Sequence, residues 1–224
     1  MENVGLINLG NGVGGSSATV SVDSTSGKVL IQTSNFGSFV FGNGNNNINS
    51  GNNSAILGGA INNILGGDYS VILGGTNATI SGNWSGIVGG SGNIISGNYS
   101  VILGGQDNSS TANRTAIIGG SGNTNVSGFN SVILGGTAAT MTGSSSAIIG
   151  GTSNFVSGFR STILAGQNNA INSPGDWSAI IGGSGNIVAS RYSVILGGQD
   201  NNTTGQRSVI IGGTNGTITG SSSV

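Results

Sequence analysis

The phrase Ser-x-Ile-x-Gly-Gly, in forms such as SAILGG, SVILGG and SAIIGG, recurs along most of this chain. Copies begin at Ser54, Ser70, Ser85, Ser100, Thr115, Ser131, Ser146, Ser161, Ser178, Ser193 and Ser208, 15 to 17 residues apart. A diverged copy, SFVFGN, starts at Ser38 and a truncated one at Ser223. Repetition at a fixed period constrains a fold more strongly than any local signal, because each unit must meet its neighbours in the same way. With the first residue of the hexad as position 0, position +2 is Ile in every clear copy, from Ile56 to Ile210. Position +5 is always Gly, and +4 is Gly except at Ala165. A second apolar column falls at +10 (Ile48, Ile64, Ile80, Ile95, Met141, Val156, Ile171, Val188, Ile218), broken at Ser110, Asn125 and Thr203.

Fifteen residues cannot hold a helix pair. Short β-branched runs punctuated by Gly-Gly and Ser-Gly-Asn read instead as brief strands between tight turns. The expected fold is therefore all-β, a parallel β-solenoid of about 12 coils of 15–16 residues, two strands per coil, over residues 38–224. The second half of a coil reads N-x-I-x-G, as in Asn62-x-Ile64-x-Gly66 and Asn154-x-Val156-x-Gly158. Glycine at +4, +5 and often +12 is expected to supply turns with positive φ. At a rise of ~4.8 Å per coil the rod spans roughly 58 Å. Residues 1–37 lie outside the repeat and read as a cap or attachment segment, with a β-hairpin in residues 16–35 around Thr25-Ser26-Gly27.

Alternation sends the +2 column to one side of its strand and +1 and +3 to the other. With +2 inside against +10, the outward pairs include Val71/Leu73, Val101/Leu103, Val132/Leu134 and Val194/Leu196. They form an apolar stripe on the order of 400 Å², at the upper end of what monomers leave exposed. Swapping the faces would expose the Ile column instead, so either orientation calls for a partner. The expectation is packing against further copies of the chain, a homotrimer in the simplest case, with end-to-end stacking also open. The outward positions +9 and +11 carry polar pairs such as Thr79/Ser81 and Thr140/Thr142.

The residue before each hexad gathers the aromatic and cationic side chains: Tyr69, Trp84, Tyr99, Arg114, Arg160, Trp177, Tyr192 and Arg207. Two readings stand. The ladder could stack on sugars or another receptor surface, or it could shield coil edges through contacts between coils, such as Tyr99 with Arg114.

Catalysis finds little material here. The chain has no histidine and no cysteine, and the nearest carboxylates that share a phase, Asp107 and Asp200, are six coils apart, ~29 Å at the solenoid rise. Nucleophilic serine needs a base and none is at hand, so no enzyme, cofactor or metal is expected. GGSGN echoes a calcium nonapeptide, but Asn stands where calcium needs Asp. Five cations against six anions make no basic face for nucleic acid, and no apolar run is long enough to insert into a membrane as a helix. Ten N-x-[ST] sequons occur, as composition this rich in Asn, Ser and Thr generates them. The opening MENVGLINLGNGVGG has no leader pattern. The stop two residues into a further coil suggests that the natural chain continues or meets a partner there.

The S-V-I-L-G…N-x-I-x-G cadence over residues 38–224 resembles the β-roll heads of trimeric autotransporter adhesins and the repeats of phage or giant-virus fibres. That resemblance implies a left-handed parallel β-roll with three chains side by side, serving adhesion on a cell or virion surface. The adhesin heads commonly have a shorter period and Ala where Ile102 or Ile133 sits. The N-x-I-x-G half, as in Asn93-x-Ile95-x-Gly97, is also similar to grass-type ice-binding β-rolls. This second likeness implies an ice-binding face made of Thr/Ser ranks, which Ile94, Phe155, Ile187 and Asn202 interrupt here.

Overall fold

Two apolar columns eight positions apart leave room for two strands in each repeat, and the chain spends its remaining residues on turns. The computed structural model describes residues 18–22, 29–33, 37–40 and 45–224. β1 (Ala18–Val22) and β2 (Val29–Thr33) pair antiparallel, with Val20 opposite Ile31. The turn between them, the rest of the segment read as a cap, and Lys28 lie outside the described residues.

From β3 (Phe39–Val40) and β4 (Asn47–Asn49) onward the chain winds as a parallel β-solenoid. One twelve-stranded sheet is made of positions +1 and +2, from Phe39–Val40 to Val209–Ile210, and a second of +9 and +10, ending at Thr217–Ile218. Twelve strands in each sheet make eleven steps from coil to coil, in line with the coil count read from the repeats. A third line of single-residue parallel bridges joins position +6 of successive coils, from Ala60 and Thr76 to Gln199 and Thr214. The repeat pattern gave no sign of this line.

Register is by identity: Ile72 lies beside Ile56 and Ile87, and Ile102 beside Ile87 and Ile117. The +2 isoleucines point inward as expected and meet the +10 column across a thin core. Ile56, Ile64, Ile72, Ile80, Ile87 and Ile95 are fully buried. Where the +10 column turns polar, the side chains remain inside and bond locally. Asn125 Nδ2 donates to the Gly128 carbonyl at 3.2 Å, and Thr203 Oγ1 to that of Gly205 at 3.2 Å.

Two polar columns line the same interior. At position 0 each serine is acceptor and donor at once. Ser70 Oγ accepts the Ser85 amide at 3.1 Å and donates to the Gly82 carbonyl at 2.9 Å. At +8, Asn108 Nδ2 donates to the carbonyls of Gly104 and Gly120, both at 3.1 Å, while its Oδ1 accepts the Asn123 amide at 3.0 Å. Backbone groups at tight corners cannot all be met by sheet bonds, and an unmet buried polar group costs ~1–3 kcal/mol. The two columns meet that need in most coils.

The glycines divide by role. A Cβ on Gly90 would lie 2.1 Å from the Gly105 carbonyl oxygen, at φ +87°, so +5 admits nothing larger. A Cβ on Gly89, Gly182, Gly197 or Gly212, at +4, would meet no atom within 4 Å. The expectation of positive φ at +12 is corrected for Gly82 and Gly97. Neither has φ in the left-handed region, and a Cβ there would collide with the next coil's carbonyl, at 2.1 Å and 1.9 Å. Many of the left-handed positions belong to other residues, at +7 and at the residue before each hexad.

Ala78 and Ala139 replace the +8 asparagine. Ala78→Asn should place its amide against the Gly74 and Gly90 carbonyls and accept the Asn93 amide, raising stability by ~1 kcal/mol. Asn123→Ala should remove ~2 kcal/mol or more by stranding those groups. Urea unfolding of the two variants beside the parent checks both signs.

Candidate interaction surfaces

The +1/+3 stripe lies on the surface of the chain. Leu73, Leu103 and Leu196 are each 45% exposed and Leu134 38%. Val71, Val101, Val132 and Val194, one strand position earlier, are half-buried beside them. The column continues through Leu57, Val88, Ile118, Ile149 and Ile181 without a charged residue. Parallel pairing holds Val71 beside Gly86, Val101 beside Ala116 and Val132 beside Ala147, so larger and smaller side chains alternate along the stripe.

The opposite sheet is more mixed. Thr79 and Thr140 are half-buried, Ser81 is exposed, and Ile94 stands 43% exposed among them. Phe155, Ile187 and Asn202 occupy the same outward column. Threonine ranks therefore stay short.

The residues before the hexads form two stacks on one corner of the rod. In the first, Tyr69 lies on Trp84 with ring centroids 4.1 Å apart and planes 9° from parallel. Trp84 is followed by Tyr99 at 6.4 Å and 8°, and the Arg114 guanidinium covers Tyr99 at 5.8 Å. In the second, Arg160 sits 4.3 Å over Trp177, Trp177 stacks on Tyr192 at 6.5 Å, and Arg207 covers Tyr192 at 5.9 Å. Asn130 and Ser145 occupy the same corner between the two stacks. Every one of these residues has φ between 51° and 59°. The left-handed backbone turns each side chain along the rod, toward its counterpart in the next coil.

The rings therefore contact one another from coil to coil, Tyr99 with Arg114 included, while Tyr69, Trp84, Tyr99, Trp177 and Tyr192 each stay about half exposed. One further pair lies nearby: Arg191 Nε meets Asp176 Oδ2 at 3.2 Å, again from coil to coil.

Chemistry-bearing side chains do not gather. Among the described residues no three of His, Cys, Asp or Glu come close enough to hold a metal ion, and no helix is long and apolar enough to cross a membrane. The stripe and the corner ladder are legible in the sequence, but the buried asparagine column is not, because Asn among Gly, Ser and Asp reads as a turn residue.

Trp84→Ala removes two ring contacts of ~0.5–1.5 kcal/mol each. Urea unfolding should show a loss of about 1–3 kcal/mol, whereas Asn130→Ala, outside either stack, should show less than half of that loss. No protein-family model and no curated protein matches this chain.

Proposed function

We propose that this chain is a non-catalytic structural segment, a stiff β-solenoid shaft that packs side by side with copies of itself and serves surface attachment. The observation that carries the proposal is the uncharged apolar line from Leu57 to Leu196, about half exposed in the single chain. A strand apolar on both faces is normally covered on both. The interior is already filled by the +2 and +10 columns, so the outer line has nothing left within its own chain to pack against.

Three parallel chains around a common axis satisfy that need with one repeated contact, and closed symmetric oligomers avoid open-ended growth. The likeness of the cadence to trimeric adhesin heads and virus-fibre repeats supports the same arrangement, and with it a place on a cell or virion surface and a glycan or protein receptor there. The repeat supplies length, stiffness and regularity, and offers no nucleophile with its base.

Light scattering at micromolar concentration should give three times the chain mass. Leu103→Asp with Leu134→Asp, which brings charge to two positions of the line on either side of Ile118, should return the monomer mass while leaving the far-ultraviolet spectrum of a β-solenoid. A monomer mass for the parent protein overturns the proposal. If that monomer also arrests ice growth in a thermal-hysteresis assay, the interrupted threonine sheet is the functional face instead.

A further inference from the structure

The serine ladder that ties coil to coil fails at one place inside the rod, where other ladders are also interrupted. From Ser54 to Ser208, each position-0 amide donates to the hydroxyl of the coil before it, as Thr115 does to Ser100 and Ser146 to Ser131, both within 3.2 Å. Among the described residues, Ser131 is the member of that run that makes no such bond. The reason is local. Thr115 Oγ1 is engaged with Ser110 Oγ, Ser100 Oγ and the Ala112 carbonyl, and the Gly128 carbonyl that a position-0 hydroxyl would serve is taken by Asn125.

Four further features meet at this junction, two of which, the absent ring contact and the absent corner bond, continue over the next two junctions. The +10 column is polar in two successive coils, at Ser110 and Asn125, so the core around Ile117 is polar on the opposite sheet. The first ring stack ends at Arg114, and the second begins only at Arg160. A corner ladder in which the amides of Asn52, Asp68, Asn83 and Asn98 donate to the Oδ1 of the next coil's Asp or Asn ends at Asn113, where the following coil presents Phe129. The amide of Asn130 reaches the Asn113 carbonyl at 3.4 Å, whereas the equivalent bonds at Tyr99 and Ser145 are 2.9 Å and 2.8 Å. What still crosses is the sheet backbone, such as the Ala116 amide to the Ser131 carbonyl at 3.1 Å, and the asparagine column, where Asn123 Oδ1 accepts the Ala139 amide at 3.0 Å.

We propose that the junction between the coil starting at Thr115 and the coil starting at Ser131 is a built-in yield point, dividing the rod into two cooperative blocks. Stability in a stacked repeat is a sum of unit and nearest-neighbour terms, so a junction that lacks the serine bond, stretches the Asn130 contact and has a partly polar core, besides the ring and corner contacts missing here and from the next two junctions, opens before the others. A shaft bent or pulled along its length would part or flex here while both blocks keep their coils.

Hydrogen exchange on the full chain, read by mass spectrometry on peptides inside the rod, tests this. The amides of Ala116, Ile118, Thr124 and Val126, which donate across the junction, should exchange at least roughly tenfold faster than those of Leu103 and Ile149, the factor that losing two net hydrogen bonds implies. Thr115→Ser, Asn125→Ile and Asn130→Tyr together restore the serine bond, the core and the ring stack, and should slow that exchange to the level of the neighbouring coils. Uniform protection across interior coils of the parent protein overturns the proposal, as does an equally fast junction in a folded triple variant. Where the variant does not fold, the parent profile alone decides.

Discussion

Everything in this rod follows from like residues lying on like. Parallel coils in register place each side chain ~4.8 Å from its counterpart above and below. Only groups that tolerate their own kind at that distance can be repeated. Isoleucine does so by packing, serine and asparagine by being donor and acceptor together, and tyrosine and tryptophan by stacking. A column of one charge would repel itself at every step, which accounts for eleven charged residues in a chain of 224. The exceptions obey the same rule: the arginines of the corner ladder never occupy successive coils, and Asp176 is followed by Arg191 and bonded to it.

The period dictates the interior as well. A two-residue strand contributes one inward apolar side chain per sheet, so each coil has a core of two residues and cannot stand alone. Stability accumulates along the axis, with the serine and asparagine columns satisfying corner groups that a larger core would simply bury among other elements. Where sequence departs from the pattern, a neighbouring departure compensates: Thr115 bonds to Ser110, and Ser190, in place of a glycine, contacts Ser193 Oγ at 3.1 Å and donates to the Gly205 carbonyl at 2.8 Å. Both paired deviations satisfy hydrogen bonds locally; the one at Thr115 also interrupts the serine ladder, whereas Ser193 keeps its place in it.

Much of this was legible in the letters alone. The Ile column at +2 could be placed inside from alternation and the matching +10 column, with the exchange of faces left for the structure to decide, and alternation in residues 16–35 read as a hairpin without fixing its register. Other features were hidden for physical reasons. Asn108 carries no signal that it is buried, since the same residue type marks exposed turns. Tyr99 and Trp84 in a left-handed backbone run against the ordinary preference of bulky side chains, and the turn before each hexad imposes that conformation, since Asn130 and Ser145 share it outside either stack. Glycine at +12 was attributed to backbone freedom, when at Gly82 and Gly97 the controlling factor is the approach of the next coil.

The empty space beside the +4 glycines has a practical meaning. At Gly89, Gly182, Gly197 and Gly212 the backbone stays outside the left-handed region and a new side chain would touch nothing, and Ala165 already fills that phase. These positions amount to vacant pegs along one edge, set at whole multiples of the coil rise. Groups grafted there (a thiol for a label, a hydroxyl for a mineral or crystal face) would inherit a ruler-like spacing from the scaffold without asking it to repack.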